Sequence, residues 1–344
     1  MASTTARPLA TLERLCAEAR TSDELLKVAG DWIADRAEAD AHVMCRLDPL
    51  SALWNGASDR GYPVNSCAHY REQAFLRSEY ADMGLASRMP ERVRRLERGV
   101  TPTDPYTELY FDNFGYGYEA HISFAVNGQG FGYMTMAKTT EDFGPGVMRL
   151  LEGAVTPVTQ HLRRLIAKEM LEAVPGEGVG LLAVDRQGGL HGLNDVGRGM
   201  QAVLTRRDDA RSYTVLGVVA EMARRELLAP GQTPIPRVLY VCPETRRRYR
   251  LLAERVSNPG FPEQVLIVAE PVRGLDSVEL LRTAGLTERE AEVAMVTLRG
   301  FKSVEGAEAL GMSEHTFLGH LKVVYRKLGV SSRGELAALL LSGV

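Results

Sequence analysis

The sequence predicts a multidomain protein: an α+β unit with an antiparallel sheet, a second unit of the same class, and an all-α tail of four helices. Three observations carry this. Strand-like alternation and helical stripes are interleaved over the first 172 residues. A Pro/Gly-rich break, Val174-Pro175-Gly176-Glu177-Gly178, then precedes a strand, a helix and three more strands. From Thr287 onward, helical spacing prevails and glycines punctuate it. At 344 residues the chain is long enough for two or three units that each bury a core. The predicted boundaries are 1–172, 178–271, a linker at 272–285 and a tail at 286–344.

In the first unit, Thr21-Ser22-Asp23-Glu24 reads as a capping box, and Leu25, Val28, Trp32 and Ile33 follow at helical spacing. Ala41–Leu47, Ala120–Val126 and Gly130–Ala137 alternate as strands, the last two joined by a hairpin turn at Asn127-Gly128-Gln129. A long stripe from Val147 to Ile166 predicts a helix that Pro157 kinks or restarts. In the second unit, Val179–Asp185 reads as a strand and 185–189 as a turn. Ser212–Leu228 reads as a helix, and Arg237–Cys242, Arg247–Val256 and Gln264–Ala269 as strands. Arg246–Arg250 is a basic run whose side chains would alternate on a solvated sheet surface.

Composition excludes several classes. A net charge of −3 rules out a polycation, so any basic surface is local. Cys16, Cys45, Cys67 and Cys242 are scattered without a CxxC pair, against a zinc ribbon or a disulfide scaffold. No signal-peptide run and no membrane-length apolar stretch occurs, so a cytoplasmic protein is expected. No Walker loop, GxGxxG, HExxH or GxSxG is present, so neither an enzyme, a cofactor nor a metal site is expected.

The tail carries the sharpest signals. Thr287-Glu288-Arg289-Glu290 is a capping box opening a helix to about Arg299, with Ala291, Ala294, Met295 and Leu298 inward and Gly300 as its stop. Ser303–Leu310 is a short helix with Val304, Ala307 and Leu310 inward. Gly311 gives a tight turn, and Ser313 caps a helix whose Phe317, Leu321, Val324 and Leu328 form one apolar stripe. Ser332-Arg333-Gly334-Glu335 is a third box, opening a last helix with Leu336, Leu339 and Leu340. A helix, a short turn and a second helix is the geometry that reads DNA, the second helix entering the major groove by its N-terminal end. Charge is segregated accordingly. Residues 274–344 hold eight Lys/Arg and nine Asp/Glu, whereas Ser313–Arg333 holds Lys322, Arg326, Lys327 and Arg333 against Glu314 alone.

This tail resembles the LuxR/FixJ-type helix-turn-helix. The carrying residues are Leu286-Thr287, Arg289-Glu290 and Glu292-Val293, then Gly300, Glu305, Ala307, Leu310, Gly311, Ser313, Thr316, His320 and Leu321. Tyr325, Lys327-Leu328-Gly329-Val330, Arg333 and Leu336 complete the pattern. The resemblance implies a recognition helix at Ser313–Leu328 and a dimer supported by the last helix through Leu336, Leu339 and Leu340. Lys302, Lys322, Arg326 and Lys327 would then neutralise phosphates. Ser313 and Thr316 would bond the DNA backbone, and His315, Leu318 and Gly319 would meet base edges. Gly306 and Leu318 depart from the family pattern, which has a large aliphatic residue and a lysine there. The first departure would loosen the scaffold helix, and the second would remove a DNA contact.

Residues 10–170 resemble a GAF domain, on the Thr21–Ala37 helix, the 121–126 and 130–137 strand pair, and Thr140-Glu141-Asp142-Phe143 before the long helix. Residues 178–271 resemble a PAS domain, on Gly180–Asp185, Gly188-Gly189-Leu190 and the three closing strands. Both resemblances imply sensing of a small-molecule effector. Of 23 aromatic residues, 14 lie between Trp54 and Tyr133, which places an effector in the first unit. Trp54, Tyr62, Tyr70, Phe75, Tyr106, Phe114, Tyr116 and Phe124 are candidate walls, although for any one of them filling the core is the commoner role. The expected protein is a transcriptional regulator that pairs as a homodimer on an inverted repeat of double-stranded DNA, with RNA polymerase as a further partner. Two rivals remain open: an adaptor with a degenerate helix-turn-helix that does not bind DNA, and a haem or metal redox sensor using His42, Cys45, Cys67 and His69.

Overall fold

A computed structural model describes residues 3–49, 51–63, 86, 89–100, 111–126, 128–206, 214–231, 235, 237–257, 263–272 and 278–341. Tyr70, Phe75, Tyr106, Cys67 and His69 lie outside the described residues.

The first unit begins with α1 (Ser3–Glu18) and α2 (Ser22–Ala37). The Thr21 hydroxyl accepts from the Glu24 amide, whereas the Glu24 carboxylate takes the amide of Arg20, so this box closes on one side only. Strands β1 (Ala41–Leu47), β2 (Trp54–Arg60), β3 (Val93–Glu97), β4 (Tyr118–Val126) and β5 (Gln129–Lys138) form one antiparallel sheet in the order β2-β1-β5-β4-β3. Helix α3 (Pro145–Glu172) is 28 residues long, about 42 Å. It runs through Pro157 as one helix, so the restart that the sequence allowed does not occur. Its buried face on both sides of the proline, from Ala154 and Val155 to Val158 and Leu162, offsets the lost backbone bond. α1, α2 and α3 cover one face of the sheet, enclosing Leu25, Ile33, Met44, Ile122, Phe124, Met134 and Leu162.

The second unit contains β6 (Val174–Pro175), β7 (Gly180–Val184), β8 (Leu190–Gly192), α4 (Asp195–Arg206), α5 (Val215–Leu228), β9 (Val238–Val241), β10 (Arg247–Val256) and β11 (Gln264–Pro271). Strand β10 pairs with β9 and with β11, β11 with β7, and β7 with β8, all antiparallel. The order β8-β7-β11-β10-β9 repeats that of the first sheet, second-first-fifth-fourth-third, while β6 adds two residues parallel to the start of β10. Helices α4 and α5 fill the core with Met200, Val203, Leu216, Val219 and Leu227 against Leu182, Tyr240, Leu251 and Ile267.

The basic run is only in part the solvated surface expected: Arg246 is exposed and Arg247 and Arg250 are half-buried, but Arg248 is not at the surface. Arg248 is fully buried, and it donates to the carbonyls of Met170 and Val272. Arg246, at a φ of 54°, donates to the carbonyl of Glu169. Both guanidinium groups thus meet the C-terminal turn of α3, where carbonyls lack helical partners and the helix dipole favours cations.

The tail comprises α6 (Val278–Thr283), α7 (Glu288–Leu298), α8 (Ser303–Ala309), α9 (Glu314–Leu328) and α10 (Arg333–Leu341). Leu281 and Ala284, within the stretch expected to be a linker, are buried with Leu286, Ala291, Val324, Leu328 and Leu336 against Ala167, Met170 and Leu171 of α3. No helix among the described residues is long and apolar enough to cross a membrane.

Candidate nucleic-acid interface

Each helix around the interface is fixed by local chemistry. The Thr287 hydroxyl accepts from the Glu290 amide, and the Glu290 carboxylate accepts from the Thr287 amide, so this capping box closes on both sides. The Ser313 hydroxyl accepts from the Thr316 amide at 3.2 Å and shares a hydrogen bond with the Thr316 hydroxyl at 2.8 Å. Gly329, at a φ of 71°, ends α9 in a left-handed conformation that glycine adopts without strain.

Along α9 the pattern divides cleanly. Phe317, Leu321, Val324 and Leu328 are buried, as the stripe predicted. Glu314, His315, Leu318, Gly319, Lys322 and Arg326 are exposed. Lys302, at the start of α8, is also exposed, and its amide donates to Glu305.

Three expectations for this region need correction. Lys327 does not face outward. Its ammonium is buried, bonded to the Glu290 carboxylate and to the Gly285 carbonyl at 3.2 Å, and is therefore unavailable to a phosphate. Burial works to raise the Glu290 carboxyl, but the Lys327 ammonium and the Thr287 amide outweigh it and hold the group below the usual carboxylate range. Val304, expected inward, is half exposed, and Gly306 takes the inward place beside Ala307. Gly306 leaves no packing gap where the family carries a large aliphatic residue: a Cβ there would come to 2.8 Å from the Phe317 ring and 3.0 Å from Val296, so the site is already full.

The last helix also differs from its expected role. Leu336, assigned to dimerisation, is fully buried within the chain against the end of α3. The side chains of Leu339 and Leu340 lie outside the described residues. Beside this contact, the Gly285 turn packs on Arg163, where burial and the nearby Arg326 guanidinium both work against the Arg163 charge.

The candidate effector residues among those described fall in three places. Phe124 is in the core under α3. Trp54 packs with Leu47 and Tyr133 against Val218 and Met222 of α5, at the junction of the two units. Tyr62 and Tyr116 meet edge to face, with ring centroids 5.5 Å apart, on the opposite side of the first sheet, where Phe114 joins them.

That side also holds a polar group the sequence reading missed. His121 Nδ1 meets the Tyr133 hydroxyl at 2.8 Å, and its Nε2 meets Glu119 at 2.8 Å. Arg94 donates to the Tyr133 hydroxyl at 3.4 Å. All of these side chains are buried except Arg94, and Ser123, cross-strand from Tyr133, is buried with an unbonded hydroxyl. The signal was present: Glu119, His121 and Ser123 alternate as polar residues in an otherwise apolar strand.

His42 and Cys45 point to opposite sides of β1. His42 lies toward Gly30 and Asp31 of α2, and Cys45 stands cross-strand from Tyr133. The two therefore cannot share one ion. Among the described residues no group of three His, Cys, Asp or Glu side chains converges as a metal site would require. Burial pushes the Cys16 thiol up to about 12, far from a reactive thiolate.

The paired helices α8 and α9, with their capped turn and the exposed side of α9, make the C-terminal segment a helix-turn-helix domain. Residues 284–340 match the family of bacterial regulatory proteins of the luxR type, so this is a LuxR-family helix-turn-helix domain. Over 91 residues the chain is 30% identical to the HTH-type transcriptional activator RamA of Corynebacterium glutamicum, a match covering 26% of this chain and 32% of RamA. The chain thus spans about a third of the length of that curated relative.

Superpositions on crystal structures are loose. Escherichia coli SdiA gives a TM-score of 0.36 at 12% identity over 97% of this chain and 96% of SdiA. CepR2 of Burkholderia cenocepacia, an N-acylhomoserine lactone dependent LuxR-family factor, gives 0.34 at 13% over 45% and 90%. The GAF domain of the cyanobacteriochrome TePixJ gives 0.37 at 12% over 44% and 94%.

Proposed function

We propose that the chain is a cytoplasmic DNA-binding transcriptional regulator whose N-terminal units sense a small molecule. The observation that carries this is the exposed stripe of His315, Leu318, Gly319, Lys322 and Arg326 on a helix anchored by the Ser313 cap and the buried Phe317–Leu328 stripe. The luxR-family match over 284–340 supports it. Lys302, Lys322 and Arg326 neutralise phosphates, Ser313 and Thr316 lie along the DNA backbone, and the N-terminal half of α9 meets base edges. With so few cations per copy, two copies bind an inverted repeat with half-sites about 10 base pairs apart, and RNA polymerase is a further partner.

The sensing part comprises a GAF-like unit at 1–172 and a PAS-like unit at 178–271. Their shared strand order supports the pairing, and 272–285 leads into the DNA-binding domain at 286–344. The effector meets the side of the first sheet that carries Tyr62, Phe114, Tyr116 and the Glu119–His121–Tyr133 row. Tyr133 also shares a hydrophobic cluster with Trp54, Val218 and Met222, which carries a change there to α5. At the far end, α3 holds Leu336, and its release frees α10 for pairing.

The test is fluorescence anisotropy of the full chain on duplex DNA across a range of salt. Affinity should fall steeply with salt, and Lys322→Ala with Arg326→Ala should abolish it. Absence of any salt-sensitive binding would leave a helical adaptor in place of a regulator.

A further inference from the structure

We propose that Leu318 is a specificity-determining residue of the recognition helix and that it selects a thymine by packing on its C5-methyl group. The inference deepens the reading that α9 enters a major groove, and it rests on that reading.

Three observations on α9 converge. First, His315, Leu318, Gly319, Lys322 and Arg326 recur every three or four residues and share one exposed side. The two cations occupy its C-terminal half, about 6 and 12 Å beyond Leu318 at 1.5 Å per residue. With the cations on phosphates at the groove edge, the N-terminal half, including Leu318, lies against the bases. Second, Leu318 is 45% exposed and belongs to no hydrophobic cluster among the described residues, so nearly half of its apolar surface is open to an outside contact. Third, apart from its chain neighbours and the backbone of its own helix, no described heavy atom lies within 4 Å of where a Cβ of Gly319 would stand. The helix surface beside Leu318 is therefore low, and a base edge can approach it closely.

Groove chemistry then names the base. Guanine, cytosine and adenine present donors, acceptors and bare ring C–H in the major groove, and the thymine C5-methyl is the one methyl group there. A leucine offers no hydrogen bond. Packed on a thymine it buries a methyl group, whereas packed on cytosine it covers the N4 amino group without replacing its bond to water. The residue that removes a cation from the reading face thus supplies a contact of its own.

The test uses the full chain and duplexes selected by it from a random-sequence pool. In the selected site each thymine is replaced by deoxyuridine, which removes only the methyl group, and affinity is read by anisotropy. One position per half-site should lose about fourfold. The same replacement should change nothing for Leu318→Ala, and 5-methylcytosine should bind better than cytosine at that position. Leu318→Lys, which keeps the helix intact at an exposed site, should bind all duplexes more tightly with no thymine preference. If no deoxyuridine replacement weakens the unaltered chain, or if the loss persists in Leu318→Ala, the inference is overturned while DNA binding stands. If no duplex is retained from the pool, the regulator reading itself fails and takes the inference with it.

Discussion

The ring of Phe317 lies against Gly306, so close that any β-carbon at 306 would overlap Cε2 and Cζ of the ring. The second helix of the motif has filled the volume that a branched side chain on the first would occupy. Gly306→Val should therefore destabilise the domain by about 1–3 kcal/mol, as overpacked cores do. Gly306→Val combined with Phe317→Val should recover most of that loss. Thermal unfolding of the two single variants and the double variant measures this coupling. Additive losses would mean that the two side chains do not compete for the same space.

Lys322 and Lys327 are five residues apart on one helix and should behave oppositely. Lys327→Ala leaves the Glu290 carboxylate buried without its cation and should cost about 3–5 kcal/mol of stability. Lys322→Ala, at an exposed site, should leave stability within about 0.5 kcal/mol. It should lower the slope of log affinity against log salt by about 0.9 per subunit. Denaturant unfolding and salt titrations on the same two proteins separate the roles.

Acid should act on the first unit through His42. Burial, and then the Arg60 guanidinium, push its pKa down to about 4 despite Asp31 and Asp35, which pull it up, with Lys27 adding to the depression. The native ring is thus neutral where the unfolded ring, near 6.5, takes a proton. This contribution is fully present above about pH 6.5 and is lost progressively as pH falls toward 4, amounting to about 3 kcal/mol. His42→Gln should flatten that part of the stability profile measured by urea unfolding between pH 7 and 4. An unchanged slope would remove His42 from the acid response.

Leu336→Ala tests whether the last helix serves the chain or a partner. Opening a cavity between α10 and α3 should cost about 2–5 kcal/mol. In the conformation described, the variant should leave the mass measured by sedimentation unchanged. A drop from dimer to monomer with undiminished stability would restore Leu336 to the pairing surface.

Much of this was legible in the sequence because the signals are local. The Thr287–Glu290 box, the Phe317–Leu328 stripe and the glycine at 329 depend on neighbours three or four residues away. Strand β1 was bounded exactly, by alternation alone. What escaped depended on distant partners. Lys327 looked like any cation on a basic helix, because Glu290 lies 37 residues away. Arg248 looked exposed by alternation, because the α3 carbonyl that receives it is 78 residues earlier. Strands β2 and β3 carry charged and small residues, Asn55, Asp59, Arg94 and Arg95, that mask their period of two. Of the candidate effector residues, Phe124 is separated from Tyr62 by which side of the sheet it meets, and spacing does not reveal that.

Helix α3 spends about its first six turns in one core and the remainder, from Ala167 on, in another. A fragment cut at residue 172, the natural place to divide the gene, would carry Ala167, Met170 and Leu171 stripped of their cover. Such a fragment should self-associate or require detergent, whereas a cut near 165 would forfeit the grip of Arg46 on Glu169. The long helix is a shared wall, and dissecting the protein means choosing which room to leave open.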